Sequence, residues 1–180
     1  MNLTIGQKVA YPNQGICLVE GMKKRKFGGE STINCYSLRV LGDNSTIFVP
    51  EANAASVGLR PLITSSQCKK LIGQLGADFE PSCDDWKTRS KEFAEKLHSG
   101  DVFEAADVLK KLTYLSIAKK LSFREQTMLE KAKFLVVSEI RNADFKGHDS
   151  IEGEVCQLVE SACERHCEVD EVEAKAASAR

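Results

Sequence analysis

The hydrophobic periodicity changes near residue 64, and this change divides the chain into two blocks. Residues 1–63 contain short runs in which apolar and polar residues alternate, the pattern of half-buried strands. From Ser65 onward the apolar residues recur at three- and four-residue spacings, the pattern of amphipathic helices. Because the two patterns occupy separate blocks, the sequence predicts an α+β fold with a strand-rich first domain and an all-helical second domain.

Proline- and glycine-containing turns separate the strands of the first block. The run Val9–Tyr11 stops at the turn Pro12–Gly15, Cys35–Leu41 alternates with a period of two, and Pro50 ends the run Thr46–Val49. Four or five short strands within about sixty residues predict a small bent sheet or an SH3-like β-barrel. Such a module has edge strands, and an exposed edge can pair with a strand of another protein.

A cationic run, Lys23–Lys26, precedes the glycine pair Gly28–Gly29, which tolerates positive φ angles. The simpler interpretation of this run is a solvated hairpin, and the alternative is a contact with a partner.

Capping residues and glycines delimit about five helices in the second block. Ser66 is expected to cap Gln67–Leu75, Asp84 or Asp85 the helix that ends at Gly100, Asp101 (with Glu104) the third, and Ser122 (with Glu125) the fourth. A last helix is expected over about 151–168, followed by a charged tail, 169–180, that we expect to fray.

The only tryptophan, Trp86, lies in the opening turn of the second predicted helix and is followed by several cations. The cations are Lys87, Arg89, Lys91 and Lys96. A lone tryptophan here is either a core residue among solvated lysines or an exposed aromatic surface held against a polyanion by its basic neighbours. The residues alone leave both interpretations open.

The net charge of −1 hides a gradient along the chain. Residues 1–63 carry 7 Lys/Arg and 4 Asp/Glu (+3), residues 64–146 carry 15 and 13 (+2), and residues 147–180 carry 3 and 9 (−6). Neither of the first two segments is basic enough for strong general binding to nucleic acid, so any DNA contact is expected to be local. There is no apolar run of membrane-spanning length and no secretory signal, and seven cysteines without paired spacing indicate reduced thiols, so we expect a cytoplasmic protein.

One cluster could be drawn as a metal site: Cys156, Cys163, His166 and Cys167 fall on neighbouring positions of the last helix. The simpler interpretation is that these cysteines are small buried residues, because structural zinc sites usually take ligands from separate elements. No nucleophile–base pattern or phosphate-binding glycine motif is recognisable, so we expect neither an enzyme nor a cofactor. A thiol or metal-dependent enzyme remains the distant alternative.

Segments of both blocks carry a resemblance to a known family. In the first block they are Ile5–Pro12 (IGQKVAYP), Gly15, Val19–Glu20, Val49–Pro50, Asn53 and Val57–Arg60. In the second they are Trp86, Arg89, Leu97, Ser99–Asp101, Ala106–Leu109, Leu121–Ser122, Glu125 and Met128–Leu129. Through these segments, in one continuous register over roughly residues 5–141, the chain resembles the CarD/CdnL family of bacterial transcription regulators. The order of the two modules, with Trp86 and the Ser-Gly-Asp turn, is the most specific part of the resemblance.

The resemblance implies a Tudor-like domain, 1–63, that adds its edge strand to the β subunit of RNA polymerase. The residues it assigns to that contact are Arg25, Ile47, Phe48 and Pro50. It also implies a helical domain, 64–168, that contacts promoter DNA at the upstream edge of the transcription bubble. There the matching tryptophan enters the minor groove and stabilises the open complex, and the DNA-contacting residues would be Trp86, Lys87, Arg89 and Lys91.

Three positions depart from the family pattern. Thr88 stands where a basic residue is frequent, Ser90 where an aromatic residue is common, and Phe48 where some members carry an arginine that holds polymerase. A protein-interaction adaptor that keeps the Tudor-like module without promoter binding is therefore the alternative function.

Overall fold

The structure, a computed structural model, describes residues 2–26, 32–80, 82–83, 85–143 and 151–178, with side chains described as far as Cys167. The glycine pair Gly28–Gly29 and the alternative cap Asp84 lie outside the described residues.

The first domain is a five-stranded antiparallel sheet with the spatial order β4-β3-β2-β1-β5. Its strands are β1 (Lys8–Tyr11), β2 (Gly15–Lys26), β3 (Thr32–Val40), β4 (Thr46–Pro50) and β5 (Arg60–Pro61). In the part of the chain that the structure describes, β4 and β5 are the two ends of the sheet. The strand-rich, Tudor-like domain is thus confirmed, and within the described residues it is an open sheet whose β4 edge pairs with no further strand.

Positive φ angles at Asn13 (64°) and Gly15 (85°) form the tight turn between β1 and β2. Behind the sheet lies a core of alternating inward-facing residues, because neighbouring positions of a strand point to opposite faces. The core residues are Val9, Cys17, Val19, Tyr36, Leu38, Val40, Val49, Ala54 and Leu59.

Five helices follow, as predicted: α1 (Ser65–Gly76), α2 (Trp86–Ser99), α3 (Val102–Ala118), α4 (Phe123–Asn142) and α5 (Ile151–Ser178). The predicted caps Asp85, Asp101 and Ser122 each accept a hydrogen bond from a backbone N–H of their helix, and Gly100 ends α2 in the left-handed conformation. The predicted cap Ser66 is wrong. Thr64 caps α1 instead, because its hydroxyl and the Gln67 side chain form a reciprocal capping box.

The helices bury one continuous core. The predicted α3 stripe of Val102, Ala105, Ala106, Leu109 and Leu112 is buried throughout. It packs against Phe93 of α2 and Val136 of α4, among others. The last helix extends to Ser178, beyond the predicted end near residue 168 and into the segment expected to fray. Among the helices in the described part of the chain, none is long and apolar enough to cross a membrane.

The end of α2 packs directly on the first turn of the sheet. Gly100 has a φ of +79°, and a Cβ atom added there would lie 2.8 Å from Cγ of Pro12. The glycine therefore serves both the left-handed helix end and the close approach of the two domains.

We expect Gly100→Ala to lower the free energy of unfolding by roughly 2 kcal/mol or more, because a left-handed backbone costs an L-residue about 1–2 kcal/mol and the new methyl group meets Pro12. Gly73→Ala is the matched control, since Gly73 lies in α1 with no heavy atom within 4 Å of its added Cβ. It should be neutral or stabilise by up to about 1 kcal/mol. Urea unfolding measures both, and equal effects would contradict this role for Gly100.

Candidate functional site

Trp86 is the first residue of α2, and 57% of it is exposed. Asp85 fixes this helix start, since one of its carboxylate oxygens accepts hydrogen bonds from the Thr88 N–H (2.9 Å) and hydroxyl (2.6 Å). These hydrogen bonds from Thr88 hold the pKa of Asp85 below its usual value. The core interpretation of Trp86 is therefore wrong, and the tryptophan is a surface residue on a well-capped helix.

Two of the predicted DNA-contacting cations share a surface with Trp86. Lys87 and Lys91 are exposed, and together with Trp86 and His98 of the same helix they line an open groove that Arg124 of α4 also lines. Lys91 is 3.8 Å from Glu95 in a solvent-exposed ion pair, which restrains it little. The structure thus places an exposed aromatic ring beside three cations of two helices, an arrangement suited to an anionic partner.

Arg89, predicted to contact DNA, lies in the interior instead. Only 2% of it is exposed, its Nη1 donates to the Cys83 carbonyl at 2.9 Å, and its Nη2 lies 2.9 Å from Oε1 of Glu125 on α4. A guanidinium that is already paired and excluded from solvent cannot reach a phosphate on the surface. The predicted phosphate contact is therefore corrected to an internal ion pair that joins the first turns of α2 and α4.

Glu125 is held in its charged form by this arrangement. Burial acts to raise the pKa of Glu125, but hydrogen bonds from the hydroxyl and N–H of Ser122 and from Arg89 outweigh it and bring the pKa to about 2. The carboxylate therefore completes the Ser122 capping box and pairs with Arg89 at the same time. One acidic residue fixes two helix starts.

Sequence analysis missed two exposed residues at the start of α4, Phe123 and Arg124. Both lie in the first turn of α4, and Phe123 is 87% exposed. Arg124 lines the same groove as Trp86. The sequence contained a signal for their exposure. The Ser122–Glu125 capping box places residues 123 and 124 in the first turn of the helix, before the buried stripe that starts at Met128. Lys96, the last of the four cations that follow Trp86 in the sequence, forms ion pairs with Glu92 and Asp107, each at 2.7 Å.

The residues predicted to contact polymerase gather around the free end of the sheet. Ile47, Phe48 and Pro50 belong to β4 and are half-buried, and the guanidinium of Arg25 lies 3.6 Å from the centroid of the Phe48 ring. Phe48 therefore carries a cation from β2 on its face. Phe48 and Arg25 thus form one surface of an aromatic ring and a cation beside the β4 edge, which pairs with no further strand among the described residues. Ile47 points to the opposite face of β4 and packs against the core of the sheet, so its side chain is not part of that surface.

The cysteine cluster of α5 does not gather into a metal site. Cys163 is buried, its Sγ lies 3.6 Å from the Lys110 carbonyl, and burial raises its pKa to about 11. His166 packs against the rings of Phe79 and Tyr114 at 4.9 and 5.1 Å. Within the described residues, no group of three or more histidine, cysteine or acidic side chains is arranged to hold a metal ion.

Two family matches follow one another along the chain. Residues 3–63 match the CarD-like/TRCF RID domain family, and residues 70–155 match the family of the CarD C-terminal domain. These matches fall on the two modules in which the exposed surfaces lie. The chain is therefore a CarD-like protein.

One similar curated protein is the "Putative transcription factor YdeB" of Bacillus subtilis (strain 168). It is 26% identical over 136 residues, which cover 76% of this chain and 88% of that protein. A similar solved structure is the solution NMR structure of the 72-residue N-terminal domain of Myxococcus xanthus CarD. It is 30% identical, covers 33% of this chain and 79% of that domain, and superposes with a TM-score of 0.29.

Trp86→Ala and Arg89→Ala should differ sharply in stability. Loss of the exposed ring of Trp86 should change the free energy of unfolding by about 1 kcal/mol or less, whereas truncation of Arg89 leaves Glu125 without its partner and should cost roughly 3–5 kcal/mol. Thermal and urea unfolding of the two variants make the comparison. A large loss of unfolding free energy in Trp86→Ala would indicate that the tryptophan is a core residue and contradict its assignment to the surface.

Acid should weaken the helical domain through Glu125. Because its folded pKa of about 2 lies below the ordinary 4.5, its contribution to stability is present above pH 4.5 and is lost as the pH falls toward 2. We expect Glu125→Gln to be less stable than the wild type at neutral pH and to lose less stability between these two pH values. Urea unfolding across that range measures both slopes, and parallel slopes would contradict the assignment.

Proposed function

We propose that this CarD-like protein binds RNA polymerase through its sheet and stabilises the promoter open complex with Trp86. The observation that carries the proposal is the exposed Trp86 ring at a rigid helix start, in one groove with Lys87, Lys91 and Arg124. The name of the Bacillus subtilis relative, which describes a transcription factor, supports the same class of function.

The chemistry of this surface suits the upstream edge of a transcription bubble. An aromatic side chain inserted at a distorted base step replaces part of the lost stacking, and this contact is worth roughly 1–3 kcal/mol per base. The neighbouring cations would contact the sugar–phosphate backbone on either side. Because Arg89 is internal, Arg124 takes the phosphate-contacting role that sequence analysis gave to Arg89.

The charge of the helical domain is too small to hold it on DNA unaided. Residues 64–146 carry a net charge of only +2 (15 Lys/Arg and 13 Asp/Glu). If the other domain is bound to polymerase, DNA contact becomes an intramolecular event with a high effective concentration. The proposal therefore requires both the polymerase-binding surface at β4 and the groove at Trp86. A weak local charge at the groove suffices once the protein is tethered to polymerase.

The polymerase contact is assigned to β4 and the neighbouring side chain of Arg25. A strand of the polymerase β subunit would pair with the free edge of β4, so that main-chain hydrogen bonds give affinity. Phe48 and Pro50 would give specificity through their side chains, and the guanidinium of Arg25 lies over the Phe48 ring. Ile47 would support this surface from the core side of β4. An adaptor without promoter binding would use the same β4 surface, so only a promoter measurement separates the two functions.

Trp86→Ala should shorten the half-life of the open promoter complex by about five- to 150-fold, the equivalent of roughly 1–3 kcal/mol of stacking. Trp86→Phe should give an intermediate half-life because it keeps a smaller ring. Filter binding or fluorescence decay after competitor addition measures the half-life. Ile5→Ala is the control, since it removes a side chain that is 75% exposed on the first domain. Equal half-lives for wild type and Trp86→Ala would favour the adaptor.

Arg25→Glu should weaken binding of the full-length protein to the polymerase β subunit several-fold, because it removes the guanidinium that lies 3.6 Å from the Phe48 ring centroid and places a negative charge there. Lys24→Glu makes the same charge change at the adjacent residue of β2, whose side chain points to the opposite face. It should bind nearly as well as the wild type. Biolayer interferometry with the isolated β-subunit domain measures both. Equal losses in the two variants would reduce the effect to net charge and contradict a contact at Arg25.

A further inference from the structure

A buried carboxylate, that of Glu139 on α4, connects the sheet to the helical domain. Glu139 is 3% exposed, and both of its oxygens accept hydrogen bonds from the guanidinium of Arg60, at 2.5 and 2.7 Å. The N–H of Ile63, just before α1, donates to the same carboxylate at 3.2 Å. Glu139 thus holds the last strand of the sheet and the connecting segment on one helix of the second domain.

Arg60 extends this connection to the helix that carries Trp86. Its Nε donates to the carbonyl of Gly100 at 2.9 Å, while its two terminal nitrogens bind Glu139. Because Gly100 ends α2 and Trp86 begins it, the guanidinium fixes the far end of that helix relative to β5. Because the guanidinium is planar and its N–H groups have fixed directions, its hydrogen bonds constrain the orientation of the groups it joins as well as their separation.

A second contact restrains the same interface from an earlier position of α4. The ring of Phe134 fits against Gly15 at the start of β2 and Gly42 in the turn between β3 and β4, and a Cβ atom added to Gly15 or Gly42 would lie 2.8 or 2.9 Å from it. Lys8 of β1 also donates to Oδ1 of Asn142 at 2.9 Å. The three contacts, from Asn142, Glu139 and Phe134, are spread along α4, so they resist rotation of one domain against the other.

We propose that Glu139 is a positioning residue which fixes the helical domain on the sheet, so that binding at β4 places Trp86 at one location. The inference rests on the proposed function. If the interface were loose, polymerase-bound protein would spread Trp86 over many positions, and the effective concentration of the ring at the fork would fall. Affinity for polymerase alone would be unchanged, because β4 and Arg25 lie outside the interface.

The test uses two full-length variants that weaken the interface in different ways. Glu139→Gln replaces one accepting oxygen by an NH₂ group that faces the donors of Arg60. Gly42→Ala pushes a methyl group toward the Phe134 ring and leaves Glu139 intact. Gly21→Ala is the matched control within the sheet, because no heavy atom lies within 4 Å of its added Cβ.

Three measurements are made on each variant. Non-natural amino acids that carry spin labels replace Lys24 and Lys70, which are exposed positions of the two domains. Pulsed electron paramagnetic resonance between the two labels gives the inter-domain distance distribution. Binding to the polymerase β subunit and the open-complex half-life complete the set, with a cooperative melting curve required of every variant. We expect both variants to broaden the distances and to shorten the half-life about threefold or more. Their polymerase affinity should stay within about twofold of the wild type, and Gly21→Ala should behave as wild type throughout.

Unbroadened distances in Glu139→Gln would overturn the inference, and so would broadened distances with a wild-type half-life. A variant that loses polymerase binding as well as open-complex half-life would also overturn the inference, because Glu139 would then have only a general structural role. If wild-type protein leaves the open complex unaffected, the proposed function fails, and with it the claim that Glu139 places Trp86 for that function. The distance distributions would still decide whether Glu139 fixes the two domains.

Discussion

The ion pair between Arg89 and Glu125 is the interaction on which the candidate DNA surface depends. Both side chains are largely removed from water, with 3% and 13% exposed, so each must recover its lost hydration inside the protein. Arg89 does so through the Cys83 carbonyl, and Glu125 through the hydroxyl and N–H of Ser122. The result is two helix starts held side by side, with Trp86 and Phe123 facing solvent at their first positions.

The proposed DNA contact fits a protein of nearly neutral charge. The groove at Trp86 presents a few cations and an aromatic ring, which is adequate for a local contact but not for independent binding. The β4 end of the sheet supplies the proposed attachment, and the Arg60–Glu139 pair supplies the fixed geometry between the two surfaces. Affinity and positioning are thereby assigned to different parts of the molecule.

The α+β order, the helix caps at Asp85, Asp101 and Ser122 and the α3 stripe could be predicted because local periodicity and capping determine them. Arg89 could not be placed from its proximity to Trp86. Positions 89, 93 and 97 form one helix face, and Phe93 and Leu97 bury it, so the arginine is drawn inward with them. Arg60 and Glu139 lie 79 residues apart, and no local pattern announces such a pair.

The most direct test of the central claim uses Trp86 itself as the probe, since it is the only tryptophan in the chain. Replacing it with 5-hydroxytryptophan gives a ring of nearly the same shape that can be excited apart from the tryptophans of polymerase. If Trp86 contacts the bases at the upstream fork, its emission should be unchanged in the polymerase-bound protein without DNA and strongly quenched when the promoter opens. Emission that stays the same through promoter opening would contradict insertion of Trp86 at the fork.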